Sequence, residues 1–410
     1  MTYPEKIIMI YHGLSLGGIE TLIVRSANYF SSCGLSVVIF ARPGELEAEL
    51  LPDIEVIHID KYCEIWGQEF DKIWGREVDK NKEALILAFD PLTFMVAKRL
   101  QRRLFFRYGR KSRLHAGIFH PRTLSWPSHS RLVRWLDQVV FKLAQDNEFY
   151  FMSDAVKSSS EKIVRTVAAR KIIRIPMTYS AATKTRIDIN SSKLDIVSVG
   201  RLVEFKSYNR YIPSIVAALL NEGVDVTWTV WGDGEDFDRI KKLVEHYNLE
   251  NRIHLMGVLP YSKFSSVVSN ADLFIGMGTA ALEAAGMGIP TICCVDQRED
   301  ACYGFLNQAP LDTIGEHVPG FNYRRIGDEI LAFSAMSATE RSSIGQYCRS
   351  AALDRSGSAS FNELLAAPSG PNLSISEKLI YLLSAPFLFA VDSRKSKFLF
   401  RALRKTLPWV

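Results

Sequence analysis

The feature that most constrains this chain is a regular alternation of short apolar runs with helical patterns, which stops once near residue 180 and then starts again. KIIMIY (6–11), LSVVIF (35–40), IEVIHI (54–59), ALILAF (84–89), RLHAGIF (113–119), EFYFMS (148–153) and KIIRI (171–175) read as strands. Helical patterns fall near 19–32 and 92–106. Strands and helices alternating at this spacing predict βαβ units and an open, doubly wound parallel sheet. Residues 176–193, PMTYSAATKTRIDINSSK, are polar and without period, and read as an inter-domain linker. LDIVSVG (194–200), VTWTVWG (226–232), RIHLMG (252–257), DLFIG (272–276) and PTICCV (290–295) then form a second set of strands. Helices are expected over 207–221, 235–246, 327–336 and 338–352. The expected class is α/β. A Rossmann-like domain spans 1–175, a linker 176–193, a second Rossmann-like domain 194–365 and a tail 366–410. Ligands of such sheets bind at the carboxyl ends of the strands, so two domains of this kind are expected to face a central cleft. The 410 residues suit two domains better than one.

A formal net charge of +5 is too mild to argue for nucleic acid, and no nucleic-acid module is visible. Cys33, Cys63, Cys293, Cys294, Cys302 and Cys348 form no CxxC pair and read as free, buried thiols of a reducing compartment. MTYPEK has neither a basic start nor a long apolar stretch, so no secretory signal is expected. No apolar run is long enough to span a bilayer.

Four loops at strand ends carry the candidate chemistry. In SVGRLVEFKSYNRYI (198–212) a strand ends in Gly200, and Arg201 and Lys206 precede a helix. Two cations beside a helix N-terminus make an anion site fit for a diphosphate; the same pair could be solvated surface charge. In LFIGMGTAALEAAGMGIPTI (273–292), Gly276 and Gly278 allow close approach of a ligand. Thr279 is placed to cap the next helix, and Glu283, one turn in, suits ribose hydroxyls. The alternative is a glycine turn with Glu283 on a solvated face. Gly232-Asp233-Gly234 is a tight turn between strand and helix, for a ligand or for the turn alone. Gly17 and Gly18, in GLSLGGIE (13–20), lie where a doubly wound domain meets phosphates or sugars, but the loop is neither a GxGxxG nor a P-loop. His120 in GIFHP suits proton traffic or orders its loop beside Pro121. Asp90 reads first as a helix cap, and His12 as structural.

Together these segments resemble the retaining glycosyltransferases of family 4, group 1, of GT-B fold and surface-polysaccharide type. The resemblance rests on Gly17-Gly18-Ile19-Glu20, Gly200-Arg201-Leu202 with Lys206, Gly232-Asp233-Gly234, RIHLMG at 252–257, and Glu283-Ala284 with Gly288-Ile289-Pro290, in order and over about residues 5–365. It implies a nucleotide-sugar donor, UDP-sugar foremost, with no other cofactor and no metal. Arg201 and Lys206 would neutralise the leaving diphosphate, Glu283 would hold the ribose, and residues around His254–Val258 would meet the base. Gly17 and Gly18 would face the diphosphate or sugar, and His120 would act near the sugars. The family usually carries a second glutamate eight positions before the first, where this chain has Ile275.

Lys98, Arg99, Arg102, Arg103, Arg107, Arg110, Lys111, Arg113, Arg122, Arg131 and Arg134 run without an acidic residue, interleaved with Leu104, Phe105, Phe106, Tyr108 and Trp126. The tail from 374 holds seven basic residues against two acidic ones, around an apolar run (379–391) too short to span a bilayer. Both suit anionic headgroups, or a solvated helix face; the first would also suit a phosphorylated acceptor, and 374–391 could instead pack on the N-terminal domain. The expectation is a hexosyl- or N-acetylhexosaminyltransferase at the inner face of the cytoplasmic membrane, acting on a glycan or polyprenyl-diphosphate-linked acceptor. The alternative is a non-catalytic, nucleotide-sugar-binding scaffold subunit. An epimerase of the same fold has no supporting motif.

Overall fold

A computed structural model describes residues 4–61, 65, 83–125, 131–144, 147–164, 171–177, 179, 193–366 and 378–380. The chain divides into two compact units, Met1–Pro176 with Ser358–Val410, and Met177–Gly357.

The first unit contains β1 (Lys6–Gly13), α1 (Gly18–Ser32), β2 (Ser36–Arg42), β3 (Glu55–His58), β4 (Ala84–Ala88), α2 (Pro91–Tyr108), β5 (Ser112–Ile118), α3 (Arg131–Leu143), β6 (Phe149–Phe151), α4 (Asp154–Ile163) and β7 (Lys171–Ile172). The strands pair in the order β3-β2-β1-β4-β5-β6-β7, every neighbour parallel. β4 and β5 are buried along their whole length, as in a parallel sheet covered on both faces. Helix α2 begins where Asp90 and Thr93 form a reciprocal capping box with Pro91 in the first turn, and ends at Gly109 in the left-handed conformation. The sequence pattern did not reveal α3 and α4.

The second unit contains β8 (Leu194–Val199), α5 (Ile212–Asn221), β9 (Val226–Trp231), α6 (Phe237–His246), β10 (Ile253–Leu255), α7 (Phe264–Val268), β11 (Leu273–Gly276), α8 (Thr279–Gly286), β12 (Thr291–Cys294), β13 (Ala301–Phe305), β14 (Arg324–Arg325), α9 (Ile326–Ser334) and α10 (Ala338–Arg355). Its order is β10-β9-β8-β11-β12-β13-β14. The sheet is parallel as far as β12, but β13 and β14 run antiparallel. The reason lies in the connection. A parallel neighbour needs a crossover of a dozen or more residues, and only residues 295–300 separate β12 from β13. The helix expected over 207–221 is also broken. Residues 204–211 form a 3-10 turn with Lys206 in non-helical geometry, and α5 starts at Ile212 with Pro213 in its first turn.

Helix α11 (Ala359–Leu365) belongs to the first unit, so the boundary expected at 365 falls at 357 instead. Its Phe361 stacks on Tyr29 at 3.8 Å between ring centroids and meets Phe30 edge-on, both on α1. Arg113 Nη1 donates to the Leu365 carbonyl (2.7 Å). Ile380 is buried in the core of the same unit.

The basic run of 98–134 is only partly a surface. Lys98 is buried and ion-paired with Glu148, Arg113 pairs with Glu83, and Arg110 is buried. Phe106 is 60% exposed under the Arg102 guanidinium, and Arg107, Lys111 and Arg131 are exposed. Trp126 and the basic residues of the tail beyond Lys378 lie outside the described residues. No described helix is long and apolar enough to cross a membrane. Cys293, Cys294, Cys302 and Cys348 are buried free thiols, whereas Cys33, at the end of α1, is exposed and Cys63 lies outside the described residues.

Candidate functional site

In the second sheet the strand order turns back between β8 and β11, and a doubly wound sheet opens a crevice at that point, beyond the carboxyl ends of its strands. The loops after β8, β9 and β11 end there. Gly200 and Gly232 come into backbone contact: a Cβ on Gly232 would strike the Gly200 carbonyl oxygen. Gly200 N–H donates to Trp231 O (2.9 Å), and Gly232 N–H to Gly257 O (2.7 Å). Gly232 thus locks two strand ends together. That is a packing role, and it makes room for what lies above Gly200.

Above Gly200 lies the Lys206 ammonium, in the place a Cβ on that glycine would fill. The kinked backbone of Lys206 (φ −93°, ψ 50°) turns the side chain back over the strand end. Burial first, and then the neighbouring Arg201 guanidinium, push its pKa down to about 8 against an opposing effect of Cys294. Arg201 itself is exposed. The Lys206 turn is braced on both sides. Gln297 N–H donates to Phe205 O (3.0 Å), and Glu299 N–H to Ser207 Oγ (3.1 Å). Gln297 (φ 55°) and Glu299 (φ 48°) both adopt a left-handed backbone, which costs a non-glycine residue about 1 kcal/mol or more.

Across the switch point, Gly278 (φ 74°) precedes α8, with its N–H given to Ile314 O (2.6 Å). Gly278, not Thr279, occupies the capping position, and no side chain caps this helix. Thr279 is the first helical residue, because the left-handed turn that starts the helix admits glycine and disfavours a residue with a Cβ. Glu283 is half-buried one turn in and accepts a hydrogen bond from Tyr261 (3.0 Å). Met256 and Val258, beyond β10, are each 49% exposed. Ile275 is fully buried inside β11, and only Met277 and Gly278 separate that strand from α8. The segment has no loop in which a glutamate could stand eight positions before Glu283.

The first unit gathers its own cluster. Gly17 is the N-terminal cap residue of α1, and Thr21 binds its carbonyl through N–H (2.9 Å) and Oγ1 (2.6 Å). The Glu20 carboxylate folds back against Gly17, where a Cβ would collide with it. The positive end of this helix therefore already faces an anion. That weakens the expectation that Gly17 and Gly18 receive a phosphate. His120 Nδ1 accepts the N–H of Arg122 (3.1 Å), while its carbonyl accepts from Thr123 N–H (3.0 Å) and Oγ1 (2.8 Å). An accepting Nδ1 places the proton of the neutral tautomer on Nε2, so His120 orders its turn through Nδ1. Sequence reasoning missed the pair formed by His12 Nε2 and Asp90 Oδ2, because the partners are 78 positions apart. Asp90 does cap α2, but only through Oδ1, which accepts from Thr93 N–H (2.7 Å) and Oγ1 (3.0 Å). Among the described residues no group of three or more His, Cys, Asp or Glu could hold a metal ion.

Residues 181–298, within the second unit, match the family model described as Glycosyl transferases group 1. The putative colanic acid biosynthesis glycosyltransferase WcaL of Escherichia coli is 26% identical over 162 residues, covering 37% of this chain and 38% of WcaL. The phosphatidylinositol N-acetylglucosaminyltransferase GPI3 subunit of Saccharomyces cerevisiae is 25% identical over 203 residues, covering 43% and 44%. The chain thus spans less than half the length of these curated relatives. Among solved structures, HepE of Anabaena in complex with UDP and glucose superposes with a TM-score of 0.62 at 15% identity, covering 88% of this chain and 98% of HepE. That likeness shows the fold: the chain is GT-B, with two Rossmann-like sheets.

Proposed function

We propose that the protein is a glycosyltransferase that moves a sugar, with retention, from a UDP-sugar to a growing surface glycan. The donor nucleotide sits in the second unit. The observation that carries this reading is the Lys206 ammonium held over Gly200 beside Arg201, across the switch point from Glu283. When the glycosidic bond breaks, its electron pair goes to a phosphate oxygen, and cations already in place stabilise that charge without reorganising. Glu283 is placed for the ribose hydroxyls, with Tyr261 holding its other side. Gly278 and Thr279 leave the backbone at the start of α8 open to the donor. His120 would donate from Nε2 to a sugar.

UDP in the HepE complex supports the choice of base, and the colanic acid assignment of WcaL supports a growing glycan as acceptor. In this reading the sugar moved is a hexose or N-acetylhexosamine and the acceptor is lipid-linked. Exposed Phe106, Arg107, Lys111 and Arg131 would touch anionic lipid at the inner face of the cytoplasmic membrane.

A second reading is a scaffold subunit that binds the nucleotide-sugar without turning it over. The two-residue connection between β11 and α8, which leaves no place for the other glutamate, favours it. One experiment separates the readings. Titration of the protein with UDP, GDP, ADP, CMP and dTDP should show binding of one nucleotide, lost in Glu283→Ala. Slow nucleotide release from the matching sugar donor, accelerated by membranes that supply acceptor, identifies the transferase. Binding without release over the whole donor panel would leave the scaffold. No binding of any nucleotide would sink both.

A further inference from the structure

A cavity of about 520 Å³ opens in the second unit, and none of Gly200, Arg201, Lys206 or Glu283 lines it. Its size falls in the range of small-molecule sites, roughly 300–1,000 Å³. One wall is the 3-10 turn over 204–211 with the start of α5, which presents Glu204, Ser207, Tyr211 and Ser214 at spacings of three and four. The facing wall is α6, with Arg239, Leu243 and Tyr247 four residues apart. Gln297 and Glu299, after β12, form the third. Helices that meet ordinarily close the gap between them with apolar stripes. Here Leu243 is the one aliphatic residue of the lining, so the two stripes leave a polar space instead of a packed seam.

The lining selects a class of ligand. Arg210, at the rim, already pairs through Nε with Asp236 (2.8 Å). Arg239 stands with the carboxylates of Glu204 and Glu299, so the cavity has no excess of positive charge with which to hold a phosphate. The same guanidinium groups disfavour a cation. A neutral ligand remains. Arg239 and the Gln297 amide offer donors, and Glu204, Glu299 and the tyrosine hydroxyls offer acceptors. Hydroxyl groups are donor and acceptor at once and match such a mixture. Tyr211 and Tyr247, the latter 41% exposed, add apolar ring faces with a polar tip. The Tyr211 ring is held by a bond from its hydroxyl to Glu299; burial, and then the Glu299 charge and that bond, raise its pKa. A sugar, with an apolar ring face and hydroxyls around its rim, uses all of these groups.

The cavity shares residues with the Lys206 turn. Gln297 N–H donates to Phe205 O and Glu299 N–H to Ser207 Oγ, one on each side of Lys206. Both residues hold the left-handed backbone, a strain that gathers at ligand clamps and switch regions. A ligand packed on Gln297 and Glu299 would fix these braces, and the turn with them. We propose that the cavity binds a neutral sugar residue of a glycan chain, and that its occupant steadies the turn carrying Lys206. The site stands without the transferase reading; its effect on UDP rests on that reading. Coupling is reciprocal, so sugar and UDP should each tighten the other by the same factor.

The test titrates the full chain calorimetrically with glucose, galactose, N-acetylglucosamine, maltose, cellobiose, lactose and chitobiose, with and without UDP. At least one disaccharide should bind, and more tightly than its monosaccharide. Arg239→Ala and Tyr247→Ala, both at exposed positions, should each weaken it roughly tenfold or more, with thermal unfolding as the check on the fold. UDP should bind about fivefold or more tightly when that sugar is saturating. The site is overturned if no sugar of the panel binds, if binding survives both substitutions, or if UDP displaces the sugar, which would then sit in the donor crevice. A monosaccharide that binds as tightly as its disaccharide overturns the glycan chain as occupant in favour of a free sugar. UDP affinity unmoved by bound sugar overturns the coupling. Sugar binding by a protein that binds no UDP overturns the proposed function and supports this site.

Discussion

Lys206 gives a prediction with a magnitude. Its ammonium titrates at about 8 rather than near 10.5, because burial and Arg201 both disfavour the charge. At pH 7 about ten side chains are charged for each neutral one, and at pH 9 the ratio is about inverted. If the charged form alone holds the diphosphate, UDP affinity should weaken roughly tenfold between pH 7 and pH 9. Lys206→Met should remove that slope. It should also weaken binding at pH 7 by roughly tenfold to a hundredfold, the worth of a hydrogen bond to a charged group. The effect on stability has the opposite sign. A lysine whose pKa is lower in the folded state than in the unfolded one destabilises the fold fully below about pH 8, and the penalty is relieved as pH rises from 8 towards 10.5. Ligand-free Lys206→Met should therefore melt higher than wild type at pH 7 while binding UDP less well. Calorimetric titration at pH 7, 8 and 9, with thermal unfolding of both proteins, makes the test. Equal pH slopes in the two proteins would refute the placement of the diphosphate.

Tyr261→Phe removes a hydrogen-bond donor to Glu283 and should weaken UDP by roughly threefold to tenfold without changing inorganic pyrophosphate binding, measured by the same titration. Gly200→Ala puts a methyl where the Lys206 ammonium sits, so it should lower UDP affinity as much as Lys206→Met does. Lys98→Met leaves Glu148 buried without its cation and should cost about 3–5 kcal/mol in urea unfolding, most of it recovered when Glu148→Leu is added. Phe361→Ala should cost about 3–5 kcal/mol as well, because α11 is held to α1 by that ring.

Much of this protein is legible one segment at a time. Runs such as ALILAF and LDIVSVG carry enough apolar periodicity to fix strands β4 and β8, and the break near 180 marks the two Rossmann-like sheets. Gly200, Lys206 and Glu283 stand out because a ligand loop in such a sheet must follow a strand end, and the strand ends can be counted. What escaped detection shares one cause: it depends on neighbours distant in sequence. The reversal of β13 follows from the shortness of one connection. α11 joins the first unit only because Phe361 finds Tyr29. The basic run of 98–134 looks like a surface until Lys98 and Arg113 meet Glu148 and Glu83. Ile275 seemed a lost glutamate by counting, but it is a core residue of β11. His12 and Asp90, each unremarkable in its own segment, become a hydrogen-bonded pair when two parallel strands set them side by side. Local pattern determined the elements and the loops on which chemistry could stand. Only the folded sheet decided which side chains meet, because charge and hydrogen bonding act through distances in space that sequence separation does not record.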